Sequence, residues 1–175
     1  MRRPGLAIAI AGGLAALGAT AVASYRGPGH AAPTWRETGW TAPIDNWGQG
    51  KAWRSDTGVM LFARTKTGFC NCFSGVANDI EIDRIGDVDL HGDDFVPASP
   101  GVVAAIGDLS GRKRRFHLQS RWTGGREVLS IVVATDCKAV VATLVSGQPI
   151  ASDIEESAVA LLRGAPFRQW ADGQQ

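Results

Sequence analysis

The chain has 175 residues, with 18 Lys and Arg against 17 Asp and Glu and a net charge of +1 at pH 7. Setting aside Arg2 and Arg3 of the N-terminal leader leaves 16 basic residues (18 minus 2) against the same 17 acids, so no global field draws a polyanion and nucleic acid is not an expected partner. Three cysteines without a Cys-x-x-Cys-His run exclude covalent c-type haem.

Residues 1–26 read as a signal peptide or membrane anchor. Arg2 and Arg3 precede an apolar run from Leu6 to Ala23 that carries no charge. The run is about 18 residues long, at the lower end of what crosses a bilayer. Ala21-Val22-Ala23 offers a small-residue cleavage point, so a cleaved peptide and a retained hydrophobic helix both stand. With the arginines kept inside, the body faces the far side of the membrane. The expected location is the bacterial inner membrane facing the periplasm, or the soluble periplasm if the leader is removed.

Residues 27–50 form an extended arm rich in Trp, Pro and Gly. Trp35, Trp40, Trp47 and Trp53 recur every five to seven residues, matching neither a strand nor one helix face, and Pro28, Pro33 and Pro43 favour extension. Trp35, Trp40 and Trp47 are candidates either for packing onto the domain or for contacting a partner or membrane interface.

A single α+β domain is expected over residues 51–175. Val59 to Arg64 reads as a strand, Asn78 to Ile85 as a short helix, and Val88 to Val96 as a strand stopped by Pro97 and Pro100. Val102 to Ile106 and Arg114 to Arg121 read as a hairpin turning at residues 108–111. Glu127 to Ala134 and Ala139 to Val145 make a second hairpin. Ser152 and Glu155 have the spacing of a capping box. The helix they open carries Ile154, Ala158, Leu161 and Leu162 on one stripe and stops at Gly164 and Pro166, with Arg168 to Asp172 adding a last turn. The architecture expected is an antiparallel meander with a C-terminal helix packed on one face, plus the N-terminal hydrophobic signal or anchor helix.

Chemistry concentrates between Gly68 and Asp94. Cys70 and Cys72 point the same way if extended, and a bridge between them would be strained. A disulfide from Cys137 to Cys70 or Cys72 is the expected arrangement, closing a loop of about 65 residues. The alternatives are a soft-metal site, with Cu(I) or Zn(II) on the thiolates of Cys70, Cys72 and Cys137, and a thiol-redox centre. Downstream, Asp87-x-Asp89-x-His91-Gly92 matches the first half of a calcium loop, with Asp93 beside it, but the twelfth position is Ala98 instead of a bidentate Glu. Asp87, Asp89 and Asp93 are therefore either cation ligands or a solvated polar face. Arg112, Lys113, Arg114 and Arg115 form the basic cluster, continued by His117, Arg121 and Arg126. Arg114 and Arg115 are its candidates for an anionic lipid or acidic protein partner.

Gly-x-Ser-x-Gly, Walker, His-Glu-x-x-His and dinucleotide motifs are absent. The runs Gly68-Phe-Cys-Asn-Cys, Gly75-Val-Ala-Asn-Asp and Ile85-Gly-Asp-Val-Asp resemble a motif of exported bacterial proteins of unassigned function. The closing order of two hairpins and a long helix is similar to the Mog1/PsbP-like layout, which implies an accessory or binding role. The function expected is that of an exported accessory or scaffold protein, anchored in the inner membrane and associated with an integral membrane protein complex, without enzymatic activity or a required cofactor. The alternative is a periplasmic thiolate metal-binding or thiol-redox protein.

Overall fold

The computed structural model describes residues 32–41, 50–68, 75–92, 94–119, 125–135 and 137–173. Its eight described strands are β1 (Trp35–Thr38), β2 (Lys51–Ser55), β3 (Met60–Thr67), β4 (Phe95–Pro97), β5 (Val102–Ile106), β6 (Leu109–Leu118), β7 (Arg126–Thr135) and β8 (Lys138–Ser146). They form one antiparallel sheet in the order β1-β2-β3-β8-β7-β6-β4, with β5 sharing the outer edge of β6. The described helices are α1 (Asp79–Ile85), α2 (Ser152–Arg163) and α3 (Ala165–Gly173). The class is α+β.

Strands β7 and β8 lie at the centre, and both of their faces are buried. On one face Leu129, Ile131 and Val133 join Val140, Ala142 and Leu144 under Ile154, Ala158 and Leu162 of α2 and Phe167 of α3. On the opposite face Val132, Ala139 and Val141 pack against Ile82 and Ile85 of α1, while Val128 and Val145 pack with Phe62, Phe116 and Leu118. Helix α2 therefore covers one face as expected, and a second layer built on α1 covers part of the other. Two-sided burial explains why β7 and β8 read as near-continuous apolar runs and not as an alternation.

Helix α1 starts where expected. The Asn78 side chain accepts from the Glu81 N–H at 3.0 Å, and Glu81 accepts in return from the Ala77 N–H at 2.7 Å. It ends at Gly86, where a Cβ would lie 2.7 Å from Ser130 Oγ and 2.8 Å from the Ile82 carbonyl. Only glycine lets the helix end come this close to β7.

Several expectations are corrected. Part of the arm joins the sheet as β1, which pairs with β2 from Trp35↔Ser55 to Thr38↔Ala52, and β2 is a strand that the sequence pattern does not show. Residues 88–96 are not one strand: Val88–His91 is a 3₁₀ turn and only Phe95–Pro97 pairs. Only the end of the segment joins the edge of β6, as β4 beside β5, while the 3₁₀ turn before it buries Val88 and Leu90. The first hairpin turns at Gly107 and Asp108, with Gly107 at φ 65°, so β6 begins at Leu109. No capping box forms at α2. Ala151 is the N-cap and Glu155 reaches out to Lys113 and Arg115, since two cations offer a carboxylate more than one backbone N–H does. Pro166 sits in the first turn of α3, a nine-residue helix and not a single last turn.

Candidate functional site

The strand register places the chemistry. On the face that carries α1, one row across the sheet runs Arg36–Arg54–Met60–Val145–Val128–Phe116. The next row runs Thr38–Ala52–Phe62–Thr143–Ser130–Arg114, and a third runs Arg64–Val141–Val132–Arg112. Charge thus enters this face from both edges, and its partners decide what each group can do.

Asp87 is buried and holds Arg64 in a two-pronged pair, Arg64 Nε donating to Oδ2 at 2.6 Å and Nη2 to Oδ1 at 2.5 Å. Lys66 Nζ approaches the same Oδ1 at 2.6 Å and also donates to the Ile85 carbonyl at 2.7 Å. The carboxylate is engaged by two cations, so it serves the packing of α1 on the sheet and has little capacity left for a metal ion. Asp89 is exposed on the far side of the 3₁₀ turn, and Asp93 lies outside the described residues. Among the described residues no group of three or more His, Cys, Asp or Glu could hold a metal ion.

The basic cluster on β6 is paired internally. Arg112 and Arg114 turn toward α1, Arg112 to Asp79 at 2.8 Å and Arg114 to Asp83 at 2.6 Å. Lys113 and Arg115 turn to the other face and share Glu155 of α2, and Arg115 also pairs with Glu127. Arg114 and Arg115, candidates for partner contact, are thereby clasps between strand and helices. Asp79 is held below the usual carboxylate range, chiefly by the Gly101 N–H and then by Arg112.

Trp35 donates its indole N–H to Ser157 Oγ of α2 at 3.1 Å, and Trp40 packs edge-on against Phe62 at 5.6 Å. Trp47 lies outside the described residues. Cys137 is disulfide-bonded and occupies the β7–β8 turn at φ 65°. Cys70 and Cys72 lie outside the described residues.

Four arginines among the described residues have no acidic partner: Arg36, Arg54, Arg126 and Arg163. The first three gather on one side of the sheet. Arg54 and Arg126 line a cleft of about 580 Å³ whose floor is Met60, Phe62 and Val145, with Thr38, Gly39 and Thr41 along one wall. Arg54 also lines an adjoining depression with Arg36 and Asp56, whose carboxylate accepts from Thr34. The two arginines stand directly opposite each other on β1 and β2, an arrangement of like charges that costs stability.

His91 closes the inner end of the cleft, its ring 4.8 Å from that of Phe62 and its Nε2 buried without a hydrogen-bond partner. Burial pushes its pKa down to about 4, aided by the Arg126 charge and opposed by Asp87. The ring is therefore neutral at pH 7.

No protein-family model and no curated protein matches the chain. The candidate site accordingly rests on its geometry. Of its residues, Arg126 and His91 stood within sequence patterns, at the end of the basic cluster and in the half calcium loop. Arg36 and Arg54 carried no signal, because each is a lone arginine on a different strand and only the β1–β2 register brings them together. Among the described residues no helix is long and apolar enough to cross a membrane, and residues 6–23 lie outside them.

Proposed function

We propose that the protein is an exported accessory protein that binds its ligand without transforming it, held on the outer face of the inner membrane by residues 6–23. One observation carries the binding role. The basic cluster of β6 is neutralised within the fold, whereas Arg54 and Arg126 line an apolar-floored cleft that has no acid in its lining. Arg36 stands directly opposite Arg54, a like-charge pair that costs stability and that an anionic ligand on Arg54 would relieve. The neutral His91 beside them, at about 4, is far too weak a base to drive proton transfer near pH 7. The apolar run with its flanking arginines supports the anchor.

The rival use of the cysteines is as thiolate ligands for Cu(I) or Zn(II) or as a thiol-redox centre, and the disulfide at Cys137 supports the structural role over the metal one. Fractionation of cells expressing the full chain tests the location. The protein should sediment with the inner membrane and be digested when protease is added to spheroplasts. A soluble form whose N-terminus is Ser24 removes the anchor, and protection from protease in spheroplasts overturns export.

A further inference from the structure

We propose that the cleft between Arg54 and Arg126 is a site for an anionic amphiphile, an oxyanion head of the phosphate or carboxylate type carried on an apolar body. The inference rests on the binding role proposed above and names the ligand class.

The geometry asks for both parts. The backbones of Arg54 on β2 and Arg126 on β7 are separated by β3 and β8, three strand spacings or roughly 14 Å across the sheet. Met60, Phe62 and Val145 fill that interval. A small inorganic anion would leave the apolar floor uncovered. A purely apolar molecule would strip water from two unpaired guanidiniums without replacing it, which is costly. A molecule with an acidic head and a short apolar body satisfies both. Guanidinium is the donor suited to such heads, since its planar fork matches the oxygens of phosphate or carboxylate. A cleft of about 580 Å³ is in the size range of sites for small organic ligands.

Two sources supply this chemistry: an anionic lipid of the adjacent bilayer or a free ester in the periplasm. The tether favours the lipid. From Ala23 at the end of the apolar run to Ala32, where the described body begins, the chain spans about nine residues and a contour of roughly 30 Å at most.

The test uses the full chain in nanodiscs of zwitterionic lipid, titrated calorimetrically with hexyl phosphate, inorganic phosphate and hexanol. Hexyl phosphate should bind with one-to-one stoichiometry and at least about tenfold more tightly than either of the others. Arg54→Gln and Arg126→Gln should each weaken it by about tenfold. Arg163→Gln, at the unpaired arginine near the end of α2, should leave it unchanged. Replacing the lipid with phosphatidylglycerol should lower the apparent affinity if the bilayer is the source, and leave it unaltered if a free ester is. Absence of saturable binding, equal affinity for inorganic phosphate, or equal effects of all three substitutions would overturn the proposal. Fractionation fails or succeeds independently of this result, so an error in the location is not confused with an error in the ligand.

Discussion

At the scale of single residues, two buried polar groups respond to their surroundings in opposite ways. Asp87 is met by two cations, with both Asp87 and Arg64 about 95% shielded from solvent. A buried pair of this kind adds little net stability over an apolar replacement, but removing one partner strands the other charge. Asp87→Asn should therefore cost about 3–5 kcal/mol in urea unfolding. A loss below about 1 kcal/mol, the range of exposed pairs, would show that the pair is not shielded in solution. His91 instead gives up its charge. Its folded pKa of about 4 lies below the usual 6.5, so between those values the unfolded chain binds a proton that the folded chain does not. Stability from this group is fully present above pH 6.5 and is lost as pH falls toward 4, by about 3 kcal/mol at most. Measured against His91→Phe at pH 7, 5.5 and 4, the native chain should weaken more steeply, and parallel pH profiles would refute the assignment.

At the scale of elements, β6 shows what a run of basic residues becomes inside a sheet. Successive side chains point to opposite faces, so Arg112 and Arg114 reach the acids of α1 while Lys113 and Arg115 reach Glu155 of α2. One strand thereby ties both helical layers to the sheet. The β7–β8 turn carries a second constraint. Cys137 is the one non-glycine described residue with positive φ, a conformation that a tight hairpin asks for and that a side chain resists. The bridge expected from the sequence closes a loop of about 65 residues, worth roughly 4 kcal/mol on the chain-entropy model. Cys137→Ser should lower the unfolding free energy by about that amount. Cys137→Gly should lose about 1 kcal/mol less, because glycine adopts the left-handed conformation without strain. Equal losses would mean that the turn relaxes, and non-reducing peptide mapping identifies the bonded cysteine.

At the scale of the molecule, the sheet is most secure at its centre. β7 and β8 are covered on both faces and paired on both edges, whereas β1 and β5 are outer strands. Amide exchange should follow this order. β7 and β8 should exchange only through global unfolding, and β1 and the first residues of β5 should exchange much faster through local opening. Protection of β1 equal to that of β8 would contradict this hierarchy.

What the sequence determined by itself is what depends on near neighbours in the chain. The two hairpins, α1 and the apolar stripe of α2 are all local patterns of period and punctuation. The near-continuous apolar runs of β7 and β8 already implied burial on two faces, although the expected single helical layer left that signal unused. Tertiary structure alone decided that β3 pairs with β8 across some 70 residues of chain, because that choice follows from mutual burial and not from spacing. It also decided which charges are paired. Asp87 meets Arg64 and Lys66, and Glu155 leaves its cap for Lys113 and Arg115, while Arg54 and Arg126 are left without an ion-pair partner beside one apolar floor. A charge pattern records how many groups of each sign exist, and only the folded register says which of them lie within reach of one another.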